Sequence, residues 1–259
     1  CQRRVAMPVV AIALCALPSL AATETPRLTL DVGAEYTSGD YGGSTSVDEF
    51  YLPVTATLEF PRAALRITVP FLSVRAPELT TFTGPDGQPV VGVGRPVTES
   101  GLGDVLASLT AFDVLASATG DLALDITGKV KIGTADADRG LGTGEQDYSL
   151  QADVFRFFDT VTLMGTAGYA VRGDPEGLDL EDTLFASVGI SGLVTQRIRA
   201  GAFFDFRDAA VPGTDTPQEI SAWVSARTGE HGSVQLYVLA GLGDSSPDWG
   251  GGASFSYRF

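Results

Sequence analysis

At 259 residues and a formal net charge of −15, the chain is too acidic for a nucleic-acid partner, whose phosphates demand a basic surface. Its hydrophobic share of 44% is ordinary, and its two cysteines, Cys1 and Cys15, both fall in the first apolar segment. The remainder therefore has neither a disulfide framework nor a thiol nucleophile.

Arg3 and Arg4 precede the run VAMPVVAIALCALPSLAA, after which TETPR turns polar. A charged start, an apolar centre and small residues Ser19 and Ala21 at the exit describe a secretory signal, with cleavage expected after Ala21. Pro8 and Pro18 interrupt the run and no stop-transfer charges follow, which argues against a membrane anchor. Leu14, rather than a small residue, precedes Cys15, which argues against a lipoprotein. Residues 1–21 are read as the signal and 22–259 as a single domain. Losing Arg3 and Arg4 removes two positive charges and takes the net charge from −15 to −17. No later apolar run is long enough for a spanning helix. A membrane domain would have to be a closed barrel, since lipid offers no partner to unpaired backbone groups. The alternative is a secreted soluble β-protein.

From Arg27 onward the sequence divides into segments of alternating polarity, the mark of membrane strands. The first sets Leu28, Leu30, Val32, Ala34 and Tyr36 against Asp31 and Glu35. Residues 50–60 set Phe50, Leu52, Val54, Ala56 and Leu58 against Tyr51, Thr55, Thr57 and Glu59. Residues 65–71 follow, with Arg66 and Thr68 on the polar face. Residues 103–112, 121–133, 147–155, 160–172, 183–192, 197–207, 218–227, 233–243 and 249–259 complete an expected set of twelve.

The connections alternate in character. SGDYGGSTSVD, the stretch Arg75–Ser100, TADADRGLGTGEQ, DPEGLDLE, DAAVPGTDTP and the stretch Asp244–Asp248 are mostly long and rich in turn formers. PRAA, FDT, LVTQ and TGEHG are short, and in that set only the connection near Asp113–Gly120 is longer. Outer-membrane barrels sort their loops this way, with long ones outside and short ones toward the periplasm. Within Arg75–Ser100, TTFTGPDGQPVV predicts a hairpin around Pro85–Gly87. Tyr36, Phe50, Phe71, Tyr148, Tyr169, Phe206 and Trp249 fall near the outer ends of their strands, and Phe60, Tyr257 and Phe259 near the inner ends, as two interfacial girdles would. The fold class expected is an all-β transmembrane antiparallel barrel in the outer membrane, in contact with its lipid.

The ending SFSYRF, with Phe259 last, resembles the C-terminal signal of bacterial outer-membrane proteins, which implies the outer-membrane assembly machinery as a partner. The stretches SGLGDVLASLTAF (100–112) and LGTGEQDYSLQADV (141–154) resemble the outer-membrane family named for the phenol meta-degradation pathway. That resemblance implies a barrel with a role in taking up aromatic or other small organic compounds, and it carries no site residues with it.

No catalytic set emerges. His231, the single histidine, sits in the turn TGEHG, away from the outer rim where a lipid-facing Ser-His hydrolase would need its base. The loop containing Asp136, Asp138, Glu145 and Asp147 has hard oxygens suited to calcium, but Leu141 stands where an EF-hand requires Gly. No cofactor or metal site is expected.

The inward face is more telling. Asp31, Glu35, Glu59, Asp125 and Asp205 are expected there opposite Arg66, Lys129, Lys131, Arg199, Arg207 and Arg227, a nearly balanced lumen. Phe185, Phe203, Trp223 and Tyr237 also face inward, on neighbouring strands, and predict an aromatic wall with Arg199 and Arg227 close by. Flat rings with a few polar anchors suit a small apolar or aromatic solute. The expected function is a channel or transporter for such solutes by passive diffusion. The alternatives are a non-conducting structural or surface-binding barrel and, last, an enzyme.

Overall fold

The computed structural model describes residues 26–78, 80–83 and 89–259. The expected signal over residues 1–21 and the Pro85–Gly87 turn lie outside the described residues. In chain order the strands are β1 (Arg27–Gly39), β2 (Val47–Phe60), β3 (Ala63–Pro77), β4 (Thr81–Phe82), β5 (Pro89–Val90), β6 (Pro96–Leu102), β7 (Val105–Ala116) and β8 (Leu122–Ile132). They continue with β9 (Asp147–Phe157), β10 (Val161–Val171), β11 (Thr183–Leu193), β12 (Ile198–Arg207), β13 (Gln218–Arg227), β14 (Gly232–Gly241) and β15 (Trp249–Arg258).

All but β4 and β5 belong to one antiparallel sheet that closes on itself, because β1 pairs with β15 on one edge and β2 on the other, and β2 with β3. β6 and β7 share one place in the ring: β6 pairs with Phe71–Pro77 of β3 and β7 with Ala63–Thr68. The result is a closed twelve-place barrel. Its outer surface is apolar along the strand middles. Val32, Val54, Leu150 and Val238 are 53%, 51%, 61% and 64% exposed, values that a sandwich core would not tolerate and that a lipid-facing wall requires.

Tyr36, Tyr148 and Tyr169 lie on the outside near the long-loop end, and each hydroxyl donates to a polar neighbour there: Asp48 at 3.0 Å, Gln146 at 2.6 Å and Asp182 at 2.9 Å. Rings in lipid with wet tips are what interfacial depth selects. At the other end Tyr257 and Phe259 meet edge-on at 4.9 Å.

The fourth place departs from the sequence reading. It runs over β6 and β7 rather than 103–112 alone, and β3 extends to Pro77, so the connection expected to begin at Arg75 begins at Glu78. The break falls where Gly103 presses on Pro70 and Leu72, too close for a side chain: a Cβ would sit 2.8 Å from Leu72 Cδ1. Asp104 then turns inward out of the ladder. Farther along, Thr81 pairs with Val90 and Phe82 with Pro89, so a short hairpin flanks the expected turn.

The long connections fold together into a cap. Val47, Leu72, Val74, Ala76, Phe82 and Leu141 form a buried apolar cluster at the long-loop end. Phe82 N–H donates to the Gly140 carbonyl at 3.0 Å, and Arg139 pairs with Glu99 at 2.6 Å. These contacts fasten residues 133–146 to the β3–β6 connection.

Candidate functional site in the barrel lumen

Strand alternation delivers one polar set to the interior, and the ring order decides which of those residues meet. Two cavities lie side by side in the long-loop half of the barrel. One, of 320 Å³, is walled by β8–β13 and includes Lys129, Lys131, Asp147, Arg172, Phe185 and Asp205. The other, of 400 Å³, is walled mainly by β14 and β1–β3 and includes Glu35, Glu49, Tyr41, Tyr51 and Tyr237.

Three residues border both: Leu106, Arg207 and Glu219. Arg207 Nη2 and Glu219 Oε1 are 2.5 Å apart, a charge-assisted pair across β12 and β13. Leu106 stands on β7, six places round the ring from β13 in either direction. A leucine from one wall and an ion pair from the wall opposite thus partition the lumen. The partition also sorts charge. Lys129, Lys131 and Arg172 line the smaller cavity beside Asp147 and Asp205, whereas Glu35 and Glu49 line the larger one, whose border has no cation but Arg207.

In the smaller cavity Lys131, Asp147 and Arg172 are tied down. Lys131 Nζ lies 3.0 Å from Asp104 Oδ2, 3.4 Å from Asp147 Oδ2 and 2.8 Å from the Thr143 hydroxyl, and Arg172 Nη1 is 3.3 Å from the same Asp147 oxygen. Asp104 also accepts from Ala135 N–H at 2.9 Å, and Asp147 from Gly173 N–H at 3.0 Å. Lys131 and Asp104 side chains are 5% and 1% exposed, so this network anchors the loop 133–146 over the lumen. Asp147, the last acid of the loop whose oxygens would have suited calcium, is therefore spent on two cations. Among the described residues no group of three or more His, Cys, Asp or Glu side chains is placed to hold a metal ion.

In the larger cavity Tyr237 O–H donates to Glu35 at 2.9 Å. Tyr41, from the loop after β1, closes the far side. Burial, reinforced by the charges of Glu49 and Glu219, pushes its phenol well above the ordinary value, so it stays neutral.

The four inward aromatics each cover a glycine directly across the ladder: Phe185 on Gly168, Phe203 on Gly189, Trp223 on Gly201 and Tyr237 on Gly252. The first three lean back toward the preceding strand and Tyr237 leans forward, so the facing pair Trp223 and Tyr237 diverges. Phe185 reaches the smaller cavity and Tyr237 the larger, while Phe203 and Trp223 line neither.

The other expected lumen charges are dispersed. Asp31 accepts from Ser256. Asp125 accepts from Asp113 N–H at 2.9 Å and so secures the β-bulge in β7, where Asp113 has φ 50°. Arg199 donates to Ser191 at 3.3 Å, and Arg227 is exposed at the short-turn end. Glu59 and Arg66 stand diagonally across the β2–β3 ladder and line neither cavity. Asp205 lines the smaller cavity with Lys129 and Lys131. Sequence reasoning missed Leu106, Glu49 and Tyr41. Leu106 breaks the polar-inward rule, and that departure was its only signal.

No family sequence model matches the chain, and no curated protein sequence does. Solved structures do. The chain is similar to an outer membrane channel from Pseudomonas putida F1, with TM-score 0.69 and 11% identity over 92% of this chain and 97% of that one. It is also similar to the KdgM porin, with TM-score 0.56 and 8% identity over 89% of this chain and 99% of that one. The fold is an outer-membrane β-barrel. At such identities the likeness speaks for architecture alone.

Proposed function

We propose that this barrel is an outer-membrane channel through which small organic solutes diffuse passively. The observation that carries the reading is the lumen itself, which holds two adjoining cavities instead of a packed core. Each combines fixed charge with at least one ring, a mixture that suits solutes with an apolar body and a polar end. Aromatic compounds, the class implied by the resemblance to the phenol meta-degradation family, fit that description. The name of the Pseudomonas putida structure as a channel favours the same reading. Phe259 serves the assembly machinery, and lipid surrounds the wall.

The test is reconstitution of the barrel in planar bilayers, with conductance measured in salt alone and with benzoate or phenol added. Stepwise currents that such solutes interrupt support the channel. Electrically silent, correctly inserted barrels overturn it.

A second reading, a non-conducting structural or surface-binding barrel, has one observation in its favour. The loop 133–146, held by buried Lys131 and by Leu141, lies over the lumen as a fastened cap. The same bilayer experiment separates the two.

A further inference from the structure

The larger cavity has a composition that the channel reading does not explain. Glu35 and Glu49 both face it, and the one cation on its border, Arg207, is already committed to Glu219. Glu49 lies deep in the protein, keeps a partly open side toward the cavity, and feels the like charge of Glu35. Among the described residues no hydrogen bond or ion pair holds its carboxylate. A carboxylate facing a narrow cavity without a cationic partner is poorly solvated, and a second one on the same cavity adds repulsion. Something positive would relieve both.

The rest of the lining says what kind of cation fits. Tyr41, Tyr51 and Tyr237 contribute three phenol rings to the same walls. Ring faces attract cations, most strongly where water is sparse. Among the described residues no three or more His, Cys, Asp or Glu side chains converge as a metal ion would need. A space of 400 Å³ holds a small organic molecule and not merely an ion. We propose that this chamber is a binding site for a small organic ammonium ion, held by Glu35 and Glu49 and flanked by the tyrosine rings. The primary ammonium donates to the two carboxylates, and its apolar body lies against the phenols. The site stands whether or not the barrel conducts, because it needs only the closed lumen.

Three solutes of one shape and different charge test it: benzylammonium, benzyl alcohol and benzoate, titrated calorimetrically into the refolded barrel in detergent at pH 7. Benzylammonium should bind at least about tenfold more tightly than the alcohol, the equivalent of one charge-assisted contact, and benzoate should not bind at all in competition with it. Glu49→Gln keeps the shape, removes the charge and should weaken benzylammonium by about tenfold or more while leaving the alcohol unchanged. Asp215→Asn, in an exposed loop, controls for general surface charge and should change nothing. Equal affinity for ammonium and alcohol overturns the proposal, as does full retention of ammonium binding by folded Glu49→Gln. Should that variant fail to fold, Glu35→Gln is read in the same way, and the three-solute comparison on the unmodified barrel still decides. Ammonium binding without current in bilayers would remove the channel and leave the site.

Discussion

Trp223 lies over the backbone of Gly201, its partner across the β12–β13 ladder, so closely that a Cβ on the glycine would sit 2.8 Å from the indole. The ring is seated in a notch of the wall. Gly201→Val should therefore unseat it, at a cost of about 1–3 kcal/mol for an overfilled site. Urea unfolding in lipid vesicles, followed by tryptophan fluorescence, measures the loss. An unchanged midpoint would mean that the indole has room to move aside at no cost.

Trp223→Ala asks whether that ring also touches solute. Because Trp223 lines neither cavity, the expected outcome is lowered stability with equal, small changes in the flux of aromatic compounds and sugars through liposomes. A selective loss of aromatic flux from a folded barrel would restore the aromatic wall as a contact surface.

The partition makes a separate prediction. Arg207→Ala removes half of the ion pair and leaves Glu219 unopposed between the two cavities. Single-channel conductance should rise, and reversal potentials in a salt gradient should shift toward cation preference. An unaltered current would place the narrowest point of the path elsewhere.

Lys131 joins two buried carboxylates and a threonine hydroxyl. Lys131→Met leaves Asp104 and Asp147 buried with one fewer cation between them, which typically costs about 3–5 kcal/mol. The loop 133–146 should detach before the barrel unfolds. Brief digestion of the folded variant should cut within that loop, while the unmodified protein resists there.

Orientation can be read with single cysteines, since the chain beyond Cys15 has none of its own. Asp215→Cys lies in a long connection and Glu230→Cys in a short turn at the opposite end. An impermeant maleimide applied to intact cells should label the first and spare the second. Labelling of Glu230→Cys alone would invert the barrel.

The wall was legible because lipid enforces a two-residue rhythm that no loop can imitate for long. Leu28 to Tyr36 shows it as plainly in sequence as in structure. The break at Gly103–Asp104 was not legible, since Pro70 and Leu72, which create it, lie on another strand. The lumen was legible residue by residue but not as a site. Tyr237 and Glu35 are 202 positions apart and touch only because the ring closes. The glycine notches could have been read, for Gly168, Gly189, Gly201 and Gly252 all stand at inward positions beside an inward aromatic. Charge counted over the whole interior looked balanced, and only the partition by Leu106 and Arg207–Glu219 showed that the balance is an average of two unlike halves.

The seam between β1 and β15 also bears on how such a wall can come into being. Thr29 pairs with Arg258 and Ser38 with Trp249, so one edge of the earliest strand waits for the latest. Until β15 arrives, β1 and β14 each offer a row of unsatisfied amides and carbonyls, which hydrocarbon cannot hydrate. An unfinished wall is thus a sticky one, able to add a foreign strand or another copy of itself. Closing the β1–β15 seam satisfies both open edges at once, so the last strand to be made completes the hydrogen bonding of the first.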